Sequence, residues 1–140
     1  MTEGTGGALV DVLRAAAAPW ISDSRARLVE VDGLRPAWRL EPDGSVDCLR
    51  ITLVPGAGGA DCFLSDARNE YESLEIEDRE APALRTLTQA VLEGRATLRL
   101  ARFLGRSWLR SVEWDSEIWS VSTTPLLTLL PQHPTKYQPY

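Results

Sequence analysis

Histidine, lysine and cysteine are scarce in this 140-residue chain, and each scarcity excludes a class of chemistry. The only histidine, His133, lies between Gln132 and Pro134, where a general base would have neither a fixed position nor a partner. Cys48 and Cys62 are the only cysteines, and no second Cys or His pair lies near them, so no zinc site is predicted. We therefore expect no metal, no cofactor and no catalytic residue. Both cysteines are interpreted as small buried hydrophobic residues in a reducing cytoplasm.

An excess of positive charge and a long apolar run are also missing. The 20 acidic residues outnumber the 15 basic ones, and the net charge of −5 disfavours a protein whose main task is to bind nucleic acid. No run approaches the roughly 20 apolar residues that span a bilayer. Asp11 interrupts the apolar N-terminal stretch, so no signal peptide is predicted. We expect a soluble, cytoplasmic protein without a membrane partner. The single lysine among many arginines is typical of a GC-rich bacterial genome.

The length is that of one domain, and 44% apolar with 25% charged residues is an ordinary globular composition. Three parts are predicted: a flexible N-terminal tail at residues 1–6, a single α+β domain at 7–130, and an extended Pro-rich C-terminal tail at 131–140. The Gly- and Ala-rich stretch 55–60 is predicted to be a flexible loop.

Two helices are predicted. The alanine-rich segment 7–18 has an apolar face and is expected to end at Pro19. The second helix covers about 82–93, since Pro82 suits the first turn and Gly94 lies where a helix C-terminus favours glycine.

The other segments favour strands, because apolar residues recur with a period of two. Strands at 37–40 and 46–54 flank the turn Glu41-Pro42-Asp43-Gly44, with Leu49, Ile51 and Leu53 toward the core. Further strands are predicted at 27–31, 62–64 and 71–76, and a hairpin at 96–104 and 107–121 with a bend near Asp115-Ser116. This pattern predicts an α+β fold with a mostly antiparallel sheet built from hairpins, packed by an N-terminal helix and one central helix.

An acidic segment is the first candidate binding feature. It places six acids in eleven residues, namely Glu70, Glu72, Glu75, Glu77, Asp78 and Glu80. Such a segment is either a solvated edge strand that charge protects from aggregation or a docking surface for a basic partner. In a strand, Tyr71 would point outward together with Glu75 and Glu77.

A series of arginines forms a second candidate, made of Arg95, Arg99, Arg102, Arg106 and Arg110. On a helix they would make one basic stripe that binds nucleic acid or an acidic partner. Gly94 and Gly105 favour strands, in which case Arg95 and Arg99 share one face and Arg102 takes the other. As a strand residue, Arg99 could then pair with an acid of the acidic segment, which would make both charge features structural.

Tryptophans mark the last candidate. Trp108, Trp114 and Trp119 lie within twelve residues. By strand parity Trp114 is predicted to belong to the core, whereas Trp119 shares its parity with Glu113 and Glu117 and is predicted to be more exposed.

The leading hypothesis is a small non-catalytic bacterial protein-binding domain. It would dock a basic partner through the acidic edge, with Trp119 or Tyr71 as an aromatic anchor. Bacterial immunity proteins are comparable in class only, since no motif here identifies one of their families. A small-molecule-binding or enzymatic domain, with the loop 55–60 as a lid over a pocket between sheet and helix, is the first alternative. Nucleic-acid binding through the arginines is the second, and homodimerisation is compatible with all three.

Overall fold

The computed structural model describes residues 7–44, 47–121 and 130–140, without the side chain of Glu72. Helices and strands follow one another in the order α1 (Gly7–Ser22), β1 (Ala26–Val31), β2 (Ala37–Pro42), β3 (Arg50–Gly56), β4 (Gly59–Ser65), β5 (Glu70–Glu77), a 3₁₀ turn (Asp78–Glu80), α2 (Ala81–Leu92), β6 (Thr97–Phe103), β7 (Arg106–Trp114), β8 (Glu117–Ser120) and β9 (Gln132–Lys136). The predicted α+β class is confirmed, with an N-terminal and a central helix packed on antiparallel hairpins. The predicted tail at 1–6 and the start of the predicted strand at Val46 lie outside the described residues.

The strands form two antiparallel sheets. The first contains β1 to β5 in chain order, and the second has the order β8-β7-β6-β9. The helices pack on one another, α1 contacts β1 and β3 of the first sheet, and α2 contacts β7 of the second. The helix pair therefore joins two sheets that the sequence pattern could not separate. Neither of the two described helices is long and apolar enough to cross a membrane.

The core face of the first sheet follows the predicted alternation. Leu40 pairs with Ile51, and Ile51 pairs with Leu64, so the three side chains form a row across neighbouring strands. All three have no solvent exposure. The prediction that Leu49, Ile51 and Leu53 face the core is confirmed.

A β-bulge changes the alternation in the second sheet. Leu109 pairs with Leu100, but the next pair along the strands is Ser111 with Arg99, so Arg110 is an extra residue in β7. An extra residue shifts every later side chain to the opposite face. The bulge therefore puts the side chains of Trp108 and Val112 on opposite faces of the sheet, although regular alternation would put both on the same face.

Three local predictions are wrong. The predicted turn at 41–44 does not join β2 directly to β3, because β2 continues to Pro42 and β3 begins only at Arg50. Helix α1 continues through Pro19 to Ser22, because Pro19 is exposed and its missing N–H removes only one hydrogen bond on the solvent side. The stretch 55–60 is not a loop but mostly strand. Gly56 pairs with Gly59, and only Ala57 and Gly58 form the turn. Gly58 has a φ of 76°, a conformation that glycine adopts without strain.

The Pro-rich C-terminal segment is extended, as predicted, but it is not a free tail. Strand β9 pairs with β6, and the two prolines inside it or next to it are tolerated because β9 is an edge strand. Beyond β9, the backbone N–H of Tyr140 donates to Leu92 O at 2.9 Å, and the Tyr140 hydroxyl donates to Leu49 O at 2.7 Å. Residues 137–140 therefore tie α2 to the first sheet.

Candidate functional site

The cleft between the free edges of the two sheets is the principal candidate site. Strand β5 ends the first sheet and β8 ends the second, and within the described ranges no further strand pairs with either edge. The cleft has a volume of about 410 Å³ and is lined by residues 73–76 of β5, by Glu80 and by residues 119–121. We call it the β5/β8 cleft.

The wall that β5 contributes is acidic. Glu75 is exposed and lines the cleft, and it has no ion-pair partner among the described side chains. Glu80 lines the same cleft and accepts a hydrogen bond from the Glu77 backbone N–H at 2.9 Å. This bond fixes the Glu80 carboxylate beside the end of β5, so two negative charges border the cleft.

The opposite wall carries an immobilised aromatic ring. Trp119 is half-buried and meets Trp114 edge to face, with ring centroids 5.1 Å apart. Trp114 is 1% exposed, and its Nε1 donates to Thr86 Oγ1 of α2 at 2.8 Å. The prediction that Trp114 belongs to the core is confirmed. Because Trp119 shares the core side with Trp114, it is less exposed than predicted and presents only part of its ring to the cleft.

The other predicted acidic residues have different surroundings. Glu77 is exposed and pairs with Arg79 at 3.0 Å. Asp78 donates its backbone N–H to Gly58 O at 2.9 Å, which ties the 3₁₀ turn to the β3–β4 hairpin. One carboxylate oxygen of Asp78 is buried without a hydrogen-bond partner in the described part of the chain.

The N-terminal end of β5 lies away from the cleft. Glu70 is exposed, and its carboxylate lies 3.9 Å from a guanidinium nitrogen of Arg39. Glu72 belongs to β5, but its side chain is not described. The prediction that Tyr71 points outward is wrong, since Tyr71 is 4% exposed. A register shift between Phe63 and Ser65 interrupts the alternation beside it.

Four arginines of the series lie on strands β6 and β7, and Arg95 lies in the connection before β6, so the basic-helix alternative is wrong. Arg95 pairs with Glu93 at 2.8 Å and with Asp115, while Arg99 pairs with Glu113 of β7. Arg99 therefore finds its acid on the neighbouring strand and not in the acidic segment.

The last three arginines of the series have no carboxylate partner in the described part of the chain. Arg106 lies over the ring of Trp108 at 4.3 Å, and Arg102 is exposed. Arg110 is the bulged residue, and two of its guanidinium nitrogens are buried without a hydrogen-bond partner among the described residues. The series is thus divided and does not form one nucleic-acid-binding stripe.

A polar cluster around Asp66 was not foreseen from the sequence. Asp66 lies between β4 and β5 and accepts hydrogen bonds from four donors: the backbone N–H groups of Arg68 and Asn69 and the hydroxyls of Tyr71 and Tyr137. Burial raises the pKa of the carboxyl, but these hydrogen bonds outweigh it and lower the pKa below 3.8. The spacing of Asp66 and Asn69 is typical of a turn, but nothing local in the sequence indicates the contact with Tyr137.

The first alternative function loses its proposed lid, because residues 55–60 form a tight hairpin. Among the described residues no group of three or more His, Cys, Asp or Glu side chains could hold a metal ion. No protein-family model matches the chain, and no curated protein and no solved structure is significantly similar to it.

Proposed function

We propose that this chain is a small non-catalytic protein-binding domain that docks a basic partner along its acidic edge. In this proposal an extended segment of the partner lies in the β5/β8 cleft. The observation that carries it is the coincidence, in one cleft, of a free strand edge, two acidic side chains and a fixed aromatic ring.

The free edge supports an extended ligand. An edge strand presents unpaired backbone N–H and C=O groups, and an added peptide strand can satisfy them. Strand β5 is eight residues long, and residues 73–76 of it line the cleft. This length accommodates several backbone hydrogen bonds with a partner strand.

The charge distribution supports a basic ligand. Glu75 is exposed without an ion pair in the described part of the chain, and Glu80 borders the same space. Complementary charge raises the association rate and disfavours acidic partners. Lysine or arginine side chains of the partner would face Glu75 and Glu80, and an apolar or planar side chain would contact Trp119.

A fluorescently labelled nine-residue peptide that alternates Lys and Val tests the charge requirement. We expect it to bind the wild-type chain, with an affinity measured by fluorescence anisotropy at low salt. Glu75→Lys should weaken binding by roughly fivefold, because it replaces an attraction by a repulsion of the order of a surface ion pair.

Glu30→Lys is the matched control, since Glu30 is an exposed acid on β1, the opposite edge of the same sheet. Both variants change the net charge by the same amount. If Glu30→Lys weakens binding as much as Glu75→Lys does, or if the wild type does not bind the peptide, the proposed docking edge is wrong.

The same peptide, N-methylated at every second residue, tests strand addition. Methylation removes backbone donors while it keeps the charges, so binding should fall to the level of the Glu75→Lys variant. Equal binding of the methylated peptide would mean that charge attracts the partner without strand pairing.

A further inference from the structure

The pairing of arginines with acids is uneven across the molecule. Eight of the 14 arginines lie within 4.0 Å of a carboxylate oxygen among the described residues. Of the other six, Arg68, Arg102 and Arg106 lie together at the end of the molecule where β5 begins. In a chain with more acids than bases, three neighbouring cations that have no carboxylate partner among the described side chains are unexpected.

Two adjoining depressions bring these arginines together. One, of about 320 Å³, lies between the N-terminal end of β5 and the β6–β7 hairpin and is lined by Asn69, Glu70, Arg102, Gly105, Arg106 and Ser107. The second, of about 190 Å³, shares Asn69, Arg102 and Ser107 with the first and adds Arg68. We call them together the hairpin depression.

The side chains of the hairpin depression are mostly hydrogen-bond donors. Arg102 and Arg106 each carry a guanidinium that can donate two parallel bonds to an oxyanion. The guanidinium of Arg106 lies over the Trp108 ring at 4.3 Å, which restricts its orientation. Ser107 and Asn69 add a hydroxyl and an amide from opposite sides of the larger depression.

Of the described side chains, three carboxylates also border the hairpin depression, and their surroundings reduce their effect. Asp66 already accepts four hydrogen bonds. Glu70 lies 3.9 Å from Arg39, a cation outside the depression. Asp47 lines only the smaller part and is exposed. Among the described side chains, the larger part therefore has Arg102 and Arg106 against Glu70 alone, which Arg39 partly neutralises.

We propose that the hairpin depression binds an anionic group, specifically the phosphate of a small ligand, through Arg102 and Arg106 with help from Arg68, Ser107 and Asn69. A volume of about 320 Å³ holds a phosphate together with a small attached group. Tetrahedral phosphate oxygens match the donor geometry of two guanidinium groups. This site is separate from the β5/β8 cleft and does not depend on the proposed protein-binding function.

Titration calorimetry and thermal unfolding with inorganic phosphate test the proposal, with sodium chloride at equal ionic strength as the reference. We expect phosphate to bind the wild-type chain and to raise its melting temperature above that in chloride. Arg102→Gln and Arg106→Gln should each weaken phosphate binding by about tenfold or more. Arg106→Lys should restore part of the affinity, because it keeps the charge and loses the planar fork.

Arg85→Gln is the matched control, since Arg85 is an exposed arginine on α2 that also lacks a carboxylate partner within the described chain. It should bind phosphate like the wild type. The proposal is overturned if chloride and phosphate act alike or if Arg85→Gln loses as much affinity as Arg102→Gln. It is also overturned if an eight-nucleotide single-stranded DNA binds at these arginines while free phosphate does not.

Discussion

Asp66 accepts hydrogen bonds from four donors, which belong to the turn before β5, to β5 itself and to the segment after β9. Its two carboxylate oxygens organise the turn before β5 through the N–H groups of Arg68 and Asn69. They also accept the hydroxyls of Tyr71, at 3.1 Å, and of Tyr137, at 2.7 Å. Burial raises the pKa of the Tyr137 hydroxyl, and its hydrogen bond to Asp66 raises it further, so it remains a donor at neutral pH. One carboxylate thus joins the first sheet to the segment that follows β9.

Asp66→Asn should lower the free energy of unfolding by about 1 to 2 kcal/mol at pH 7, because it weakens several charge-assisted hydrogen bonds. The folded pKa of Asp66 lies below its unfolded value of 3.8. The carboxylate therefore contributes its stability fully above that unfolded pKa and loses it as the pH falls through the folded pKa. Urea unfolding at pH 7 and pH 3 should show a difference between wild type and variant that shrinks in acid.

Asp32→Asn provides the comparison for this measurement, since Asp32 is exposed between β1 and β2 and has no ion pair among the described residues. It should leave the unfolding free energy nearly unchanged at pH 7. If the difference in unfolding free energy between wild type and Asp66→Asn stays constant from pH 7 to pH 3, the carboxylate charge is not the cause of the lost stability.

The two cysteines illustrate how far single residues can be understood from the sequence. Both are buried, as predicted, and burial raises the pKa of the Cys62 thiol to about 12. Cys62 pairs with Leu53, five residues beyond Cys48 along the chain. Cys48 lies before the start of β3 at Arg50, and both thiols are free. Composition predicted the burial, but only the structure shows that no disulfide joins the two residues.

At the scale of elements, regular segments were predictable and irregular ones were not. The pairing of β2 with β3 and helix α2 follow from alternation and an apolar stripe, which are local signals. The predicted turn residues do not set the β2–β3 register, in which Leu40 pairs with Ile51. The bulge at Arg110 has no such signal, yet it puts Trp108 and Val112 on opposite faces of the sheet. The β7–β8 register then pairs Val112 with Trp119, so Trp119 lies on the same side as Trp114. Predicting the β5/β8 cleft therefore required a register that the sequence pattern does not encode.

The packing of residues 137–140 likewise depends on tertiary contacts that no local sequence pattern indicates. Prolines and a polar composition predict an extended tail, which is correct for the backbone alone. Tyr137 is 9% exposed, and the Tyr140 hydroxyl contacts Leu40 O at 3.2 Å as well as Leu49 O. These contacts join residues that lie about a hundred positions apart, so no local pattern could have indicated them.

Deleting residues 137–140 should lower the free energy of unfolding by about 4 kcal/mol or more, because it removes two packed aromatic side chains and their hydrogen bonds. Tyr140→Phe, which removes only one hydroxyl, should cost about 1 kcal/mol. Chemical denaturation monitored by far-UV circular dichroism measures both values. If the deletion costs no more than Tyr140→Phe, the segment covers the core without stabilising it.

At the scale of the whole molecule, a net charge of −5 is compatible with two surfaces that attract ligands of opposite charge. Within the described residues, the β5/β8 cleft has acids without an ion pair at the C-terminal end of β5, and the hairpin depression has arginines without one at its N-terminal end. Most other charges are paired locally, as Arg27 is with Glu41 and Arg99 is with Glu113. Among the described side chains, the two clusters that stand out in the sequence therefore neither pair with one another nor form single surfaces.

The separation of the two proposed sites predicts how their ligands influence one another. Glu75 and Glu70 are five residues apart on β5, or about 17 Å. The Debye length is about 8 Å at 0.15 M ionic strength and about 30 Å at 0.01 M. Phosphate in the hairpin depression should therefore tighten the binding of the Lys-Val peptide at 0.01 M ionic strength and have almost no effect at 0.15 M.

Thermodynamic linkage requires the peptide to strengthen phosphate binding by the same factor, which calorimetry can measure in both orders of addition. In the Arg102→Gln variant the coupling should disappear, because phosphate no longer occupies the depression, while the peptide still binds alone. Coupling that persists at 0.15 M would contradict a purely electrostatic link and indicate a conformational change in β5. Weaker peptide binding in the presence of phosphate at 0.01 M would mean that both ligands compete for one site.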